Sequence, residues 1–119
     1  MSCQRCGIAL PPRRRSFCSD DCSKRARLEA EYGLGPGEYL LLLAAQGGVC
    51  AICERRQRYQ NLSIDHDHKS GKVRGLLCKR CNHDLLAAAL EDERVLRRAA
   101  DYLADPPAEK TLGVRVHQG

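Results

Sequence analysis

At 119 residues the chain holds one ordinary domain or two very small ones, and with one Phe, no Trp and 4% aromatic residues it is poor in bulky core side chains. Eight cysteines offer staples in their place. The formal charge of +5 drops to about +1 once two four-thiolate zinc sites are filled, so any argument for nucleic acid has to come from local basic clusters. The cysteines fall in close dyads and residues 1–5 contain no apolar stretch of signal-peptide type. The longest apolar block, residues 39–45, is far too short for a bilayer. Metal chelation is expected over disulfides, and a cytoplasmic place over a secreted or membrane one.

Residues 1–32 read as a four-cysteine finger: Cys3-x2-Cys6, eleven residues, then Cys18-x3-Cys22. Pro11-Pro12-Arg13-Arg14-Arg15 is a basic turn between the dyads. Ser19 with Asp20 and Asp21 predicts a helix start, a hydroxyl cap followed by acids at the positive dipole end, and the helix should run to about residue 32. Cys22 then lies in its first turn, as in treble-clef fingers. Gly33-Leu34-Gly35-Pro36-Gly37 reads as a hinge. A helix over 38–46, capped by Gly35 with Pro36 at its first position, should stop at Gly47-Gly48, and its Leu40-to-Leu43 run predicts burial.

A knuckle at Cys50-Ala51-Ile52-Cys53 precedes a strand over 62–66, a turn at Ser70-Gly71, a strand over 73–77, and a second knuckle at Cys78-Lys79-Arg80-Cys81. Helices follow over 82–90, with Leu85, Leu86 and Leu90 inward, and over 93–104, with Val95, Leu96, Ala99, Tyr102 and Leu103 inward. Asp105-Pro106-Pro107 stops the second, and a loose tail follows. The expected organisation is a finger at 1–32, a second domain at 33–105 and a tail at 106–119.

Cys50, Cys53, Cys78 and Cys81 suit a tetrahedral structural zinc, because a two-residue spacer lets both sulfurs of a knuckle face one point. Cys3, Cys6, Cys18 and Cys22 suit a second. A zinc staple alone leaves Asp65-His66-Asp67-His68 and Asn82 unexplained. Strand, turn, strand and helix, with Asp-His on the first strand and Asn opening the helix, is the layout of a ββα-metal nuclease, a small α+β fold. Asp65 and Asn82 can offer oxygens to a hard divalent ion such as magnesium or manganese. The imidazole of His66 can take a proton from an attacking water, and His68 can hold the scissile phosphate or support the site. The expected reaction is hydrolysis of a DNA phosphodiester to 5′-phosphate and 3′-hydroxyl ends. Asp67 is read as a structural residue or one that supports a ligand from behind, not as a ligand itself; His83 and Asp84 are read as capping or solvated groups, and His117 as part of the tail. Ideal strand alternation points Asp65 and His66 to opposite faces, so the strand has to end, bend or bulge there. Basic clusters that could meet phosphates are Arg13, Arg14 and Arg15; Arg55 and Arg56 with Arg58; and Lys72 and Arg74 with Lys69.

From residue 32 to residue 103 the chain resembles the recombination endonuclease VII family of bacteriophages and related HNH nucleases. The residues that carry the resemblance are Tyr-Gly-Leu at 32–34, Leu-Ala-Ala-Gln-Gly-Gly-Val-Cys-Ala-Ile-Cys at 43–53 and Ile-Asp-His-Asp-His at 64–68. Gly-Lys-Val-Arg-Gly-Leu-Leu-Cys at 71–78, Arg-Cys-Asn at 80–82 and Leu-Arg-Arg-Ala-Ala-Asp-Tyr-Leu at 96–103 complete it. The resemblance implies zinc at the four central cysteines, magnesium at Asp65 and Asn82, His66 as general base and His68 assisting. It also implies DNA as partner, in a bacterial cell or phage-infected host. Two departures stand out: the long dimerising extension of junction-resolving members is not seen, and Leu85 stands where the archetype has an acid. A two-fold homodimer would be a natural way to cut two strands. The rival readings are a non-catalytic zinc-finger DNA-binding or regulatory protein and a zinc-stabilised protein adaptor.

Overall fold

The computed structural model describes residues 1–57 and 61–118; Arg58 of the second basic cluster lies outside them. The chain divides into two compact units, Met1–Cys81 and Asn82–Gly119.

The first unit opens with an isolated antiparallel bridge, Ser2 to Ala9, around the Cys3–Cys6 knuckle. Helix α1 spans Asp20–Glu31, and Ser19 Oγ accepts the Cys22 amide at 3.2 Å, as the cap signal predicts. Helix α2 spans Glu38–Ala45. Its N-cap is Gly37, at φ 86°, and not Gly35. A Cβ on Gly37 would lie 2.6 Å from the Arg5 carbonyl oxygen, so only glycine admits the approach at this cap. The helix ends into Gly47 and Gly48, both left-handed, as read. Tyr39 is buried, but Leu40 and Leu41 are exposed, so the apolar run is not enclosed as predicted. A helix that is apolar all round still has only one face for the hairpin to cover.

Strands β1 (Ser63–His66) and β2 (Val73–Leu77) form an antiparallel hairpin. Asp67 makes its turn: Oδ1 accepts the amides of Lys69 and Ser70, at 2.7 and 3.0 Å, and holds the carboxyl below its ordinary range. Of the two roles open to it, a structural one is what these bonds show. Leu62, Ile64, Leu76 and Leu77 supply the core with Cys50, Cys81 and Tyr39, whose hydroxyl donates to the Leu62 carbonyl at 2.7 Å. Gln46 completes the sheet edge. Its side-chain amide accepts the Leu76 N–H at 2.8 Å and donates to the Leu76 carbonyl at 2.9 Å, as a neighbouring strand would.

The finger is welded to the rest of its unit through Glu29, which is 1% exposed. Its carboxylate accepts from Arg5 Nε at 2.8 Å and from the backbone amides of Gly37 (3.2 Å) and Tyr39 (2.9 Å). Burial opposes the charge, yet those amides and the guanidinium outweigh it and hold the Glu29 carboxyl below its ordinary range. The segment read as a hinge is thus carried inside a unit that runs from Met1 to Cys81.

After Cys78 the chain turns through a π-helical segment, Arg80–Leu85, which continues as α3 (Leu86–Ala88). Asn82 is therefore the third helical residue and not the first. Leu90 is 86% exposed with φ 54°, contrary to the inward stripe. The helix has already ended at Ala88, and the left-handed pair Leu90 and Glu91 turns the chain away. Helix α4 spans Glu93–Ala104, capped by Asp92, whose carboxylate accepts the Arg94 amide at 2.9 Å. Its apolar stripe is also exposed: Val95 41%, Tyr102 61%, Leu103 77%. Periodicity sets which residues share a face, not whether anything covers it. The expected tail contains a further short helix, α5 (Pro107–Leu112), begun by a proline at its first position and ended by left-handed Gly113.

Candidate functional site

Each set of four cysteines folds into one cluster. The sulfurs of Cys3, Cys6, Cys18 and Cys22 all lie within 4.8 Å of one another, and so do those of Cys50, Cys53, Cys78 and Cys81. Individual S···S separations of 3.5 Å (Cys18–Cys22), 3.6 Å (Cys6–Cys18) and 3.7 Å (Cys53–Cys78) match the roughly 3.8 Å edge of a tetrahedron with ~2.3 Å zinc–sulfur bonds. All eight are free thiols. The donor set fits two structural zinc ions.

Knuckle geometry recurs in the two clusters. The residue after the second cysteine is left-handed and sends its amide back to the first cysteine: Gly7 to the Cys3 carbonyl, and Glu54 to the Cys50 carbonyl, both at 3.0 Å. Electrostatics recurs too, because four thiols packed this tightly cannot all carry charge unaided. Burial works against the Cys3 thiolate, but hydrogen bonds from the backbone of Cys6, Cys18 and Arg5 bring its pKa down to about 6. Cys18 is pushed up to about 12, first by its bond to the Cys22 thiol. Cys50 likewise falls to about 6 against its burial, through the backbone of Cys78, Cys53 and Ile52. Burial and then the Cys78 thiol push Cys81 up to about 12. A bound dication removes that conflict by accepting all four thiolates.

The second cluster clamps both ends of the segment carrying the Asp-His pair. Asp65 pairs across the hairpin with Gly75, and His66 with Val73, so the register slips at this step, with the extra residue on β2. The residue left over on β2 is Arg74. It bonds the Asp65 carboxylate through both oxygens, Nε to Oδ2 at 2.7 Å and Nη2 to Oδ1 at 3.1 Å. Asp65 is 6% exposed. His66 is half-buried; its ring lies 5.7 Å from that of Tyr32, at the end of α1, and 5.1 Å from that of His68, edge-on. Tyr32 also lines, with Arg5, Arg25, Asn61 and Ser63, a cavity of about 280 Å³ beside β1. Asn82 belongs to the second unit, directly after the zinc-cluster residue Cys81.

The basic residues divide by partner. Arg14 is bonded to Asp20 at 2.9 Å and Arg74 to Asp65. Arg13, Arg15, Arg55, Arg56 and Lys72 are exposed. Roles for Tyr32, Glu29 and Gln46 were not read from sequence. Tyr32 and Gln46 do lie in the quoted Tyr-Gly-Leu and Leu-Ala-Ala-Gln stretches, so a signal existed; for Glu29, one acid among several on α1, none did.

Residues 25–105 match the family model of recombination endonuclease VII. The chain belongs to that family. It is 45% identical over 95 residues to the gene 59 protein of Mycobacterium phage D29 and 43% identical over 95 residues to that of Mycobacterium phage L5. Each alignment covers 79% of this chain and 58% of the relative, so the chain spans little more than half the length of these curated proteins. No solved structure gives a significant match. The match begins at Arg25, so the endonuclease VII region takes in the end of α1 and leaves the first cysteine cluster outside it.

Proposed function

We propose that this endonuclease VII family chain is a DNA endonuclease of the HNH, ββα-metal type, hydrolysing phosphodiester bonds to 5′-phosphate and 3′-hydroxyl ends. One observation carries the reading: a family member holds an Asp-His pair at a register slip in a hairpin whose ends are clamped by a four-thiolate cluster. In this reading the His66 imidazole accepts the proton of the attacking water, while the Tyr32 and His68 rings orient it. His68 also faces the scissile phosphate. Asp65 and Asn82 would hold a hard divalent ion, magnesium or manganese, through their carboxylate and amide oxygens, the donors such ions prefer. When bound, that ion supplies charge neutralisation at the phosphate and the leaving oxygen. Arg13, Arg15, Arg55, Arg56 and Lys72 would follow the DNA backbone. The same proposal places the protein in the cytoplasm of a phage-infected cell, where its DNA is. No helix among the described residues is long and apolar enough to cross a membrane. It includes a homodimer, supported by the exposed apolar stripe on α4 and tested by sedimentation.

The test is incubation of protein carrying two zinc ions with supercoiled plasmid and with a synthetic four-way junction, in Mg²⁺ or in EDTA. Metal-dependent cutting should fall about a thousandfold in His66→Ala, with zinc content and melting temperature unchanged. DNA binding without cutting by either protein would favour a non-catalytic zinc-finger protein instead.

A further inference from the structure

We infer that Arg74 is the resident cation of Asp65, and that a divalent metal gains this carboxylate by exchange, as the guanidinium moves from Asp65 to a DNA phosphate. The inference rests on the proposed metal role of Asp65 and adds a coupling between metal and DNA that the role alone does not contain.

Geometry comes first. The pair is bidentate, with both carboxylate oxygens engaged at 2.7 and 3.1 Å, the strongest arrangement available to these groups. The Asp65 side chain is 7% exposed, and a carboxylate so enclosed has to have a counter-charge. Arg74 supplies it from the slip in register, between Gly75 and Val73 on β2. A bulge is the local device that re-aims one side chain out of the ladder, and here it aims a cation at the acid.

Chemistry comes second. A guanidinium and a divalent ion cannot both sit against one enclosed carboxylate without strong mutual repulsion. Arg74 is 34% exposed, so it reaches water at the same time as it reaches Asp65. It stands two residues from exposed Lys72 on the hairpin, so a phosphate arriving there offers it a second bidentate acceptor. The exchange keeps every charge paired: metal to carboxylate, guanidinium to phosphate. Without DNA the arginine competes with the metal, which keeps the centre unloaded until substrate is present.

The experiment is calorimetric titration of Mn²⁺ into the full zinc-loaded chain, with His66→Ala as an uncut background, with and without a short duplex. The expected result is Mn²⁺ affinity about tenfold higher when duplex is present. Arg74→Gln should bind Mn²⁺ about tenfold tighter without DNA and lose the response to duplex. Arg74→Lys, which retains a cation but not the two-donor fork and guards against misfolding of the glutamine variant, should fall between the parent and Arg74→Gln. Equal Mn²⁺ affinity with and without duplex overturns the exchange, as does Arg74→Gln binding no tighter than the parent while Asp65→Asn abolishes binding. If Asp65→Asn leaves Mn²⁺ binding intact, the metal role of Asp65 fails and the exchange fails with it, a pattern separate from the first two.

Discussion

The two cysteine clusters hold their sulfurs in the same way, share a knuckle with a left-handed residue after the second cysteine, and show the same split of thiol pKa values. They differ in what lies between their dyads. The first encloses a basic turn and closes onto α1 through Cys22, and its further link is the Arg5–Glu29 pair. The second encloses a bulged hairpin with an enclosed acid and two imidazoles. The two clusters are therefore alike as anchors and differ in the loop each one holds in shape.

Removing one anchor at a time tests that contrast most severely. Cys53→Ser should release the second zinc, collapse the hairpin and abolish cutting, since structural zinc contributes on the order of 10 kcal/mol to small folds. Cys6→Ser should release only the first zinc and retain measurable cutting. Zinc stoichiometry and plasmid nicking check both, and equal loss from the two variants would erase the distinction.

The weld gives a smaller effect. Glu29→Gln leaves the Arg5 guanidinium, 6% exposed, without its counter-charge and should lower stability by about 3 kcal/mol in chemical denaturation. The folded state holds this carboxyl below its ordinary 4.5, so its contribution is complete above that value and drains as pH falls through the lowered one. The gap between parent and variant should thus be full near about pH 6 and close under acid conditions, measured with zinc in excess. A gap that widened in acid would refute the assignment.

Gln46 belongs to the hairpin side of the comparison. Gln46→Ala removes both hydrogen bonds to Leu76 and should cost about 2 kcal/mol, read as a lower melting temperature with both zinc ions retained. The smallest change addresses the shared knuckle. Glu54 is left-handed, at φ 60°, where the first cluster has Gly7 at φ 81°. Glu54→Gly should stabilise by about 1 kcal/mol, and Gly7→Ala should destabilise by a similar amount.

Local chemistry was legible wherever neighbours along the chain sufficed. Ser19 capped α1, the hairpin turned at Ser70-Gly71, and the cysteine spacings closed into two clusters. Legibility failed where the deciding partner was remote. Leu41, Leu90, Val95, Tyr102 and Leu103 carry the pattern of a covered face and are exposed. Arg74 read as one more cation of a basic run, yet it is the partner of Asp65.

From its sequence alone this chain determined two four-thiolate clusters, a hairpin between the central pair and an Asp-His step on its first strand, because each depends on spacing over a few residues. Only the tertiary structure decided that the register slips at that step, that Arg74 fills the place beside the acid, and that Glu29 ties Arg5 to the start of α2. Those outcomes depend on which side chains meet across the fold, and one inserted residue in a strand re-aims a charge without leaving any mark in the pattern of residue types.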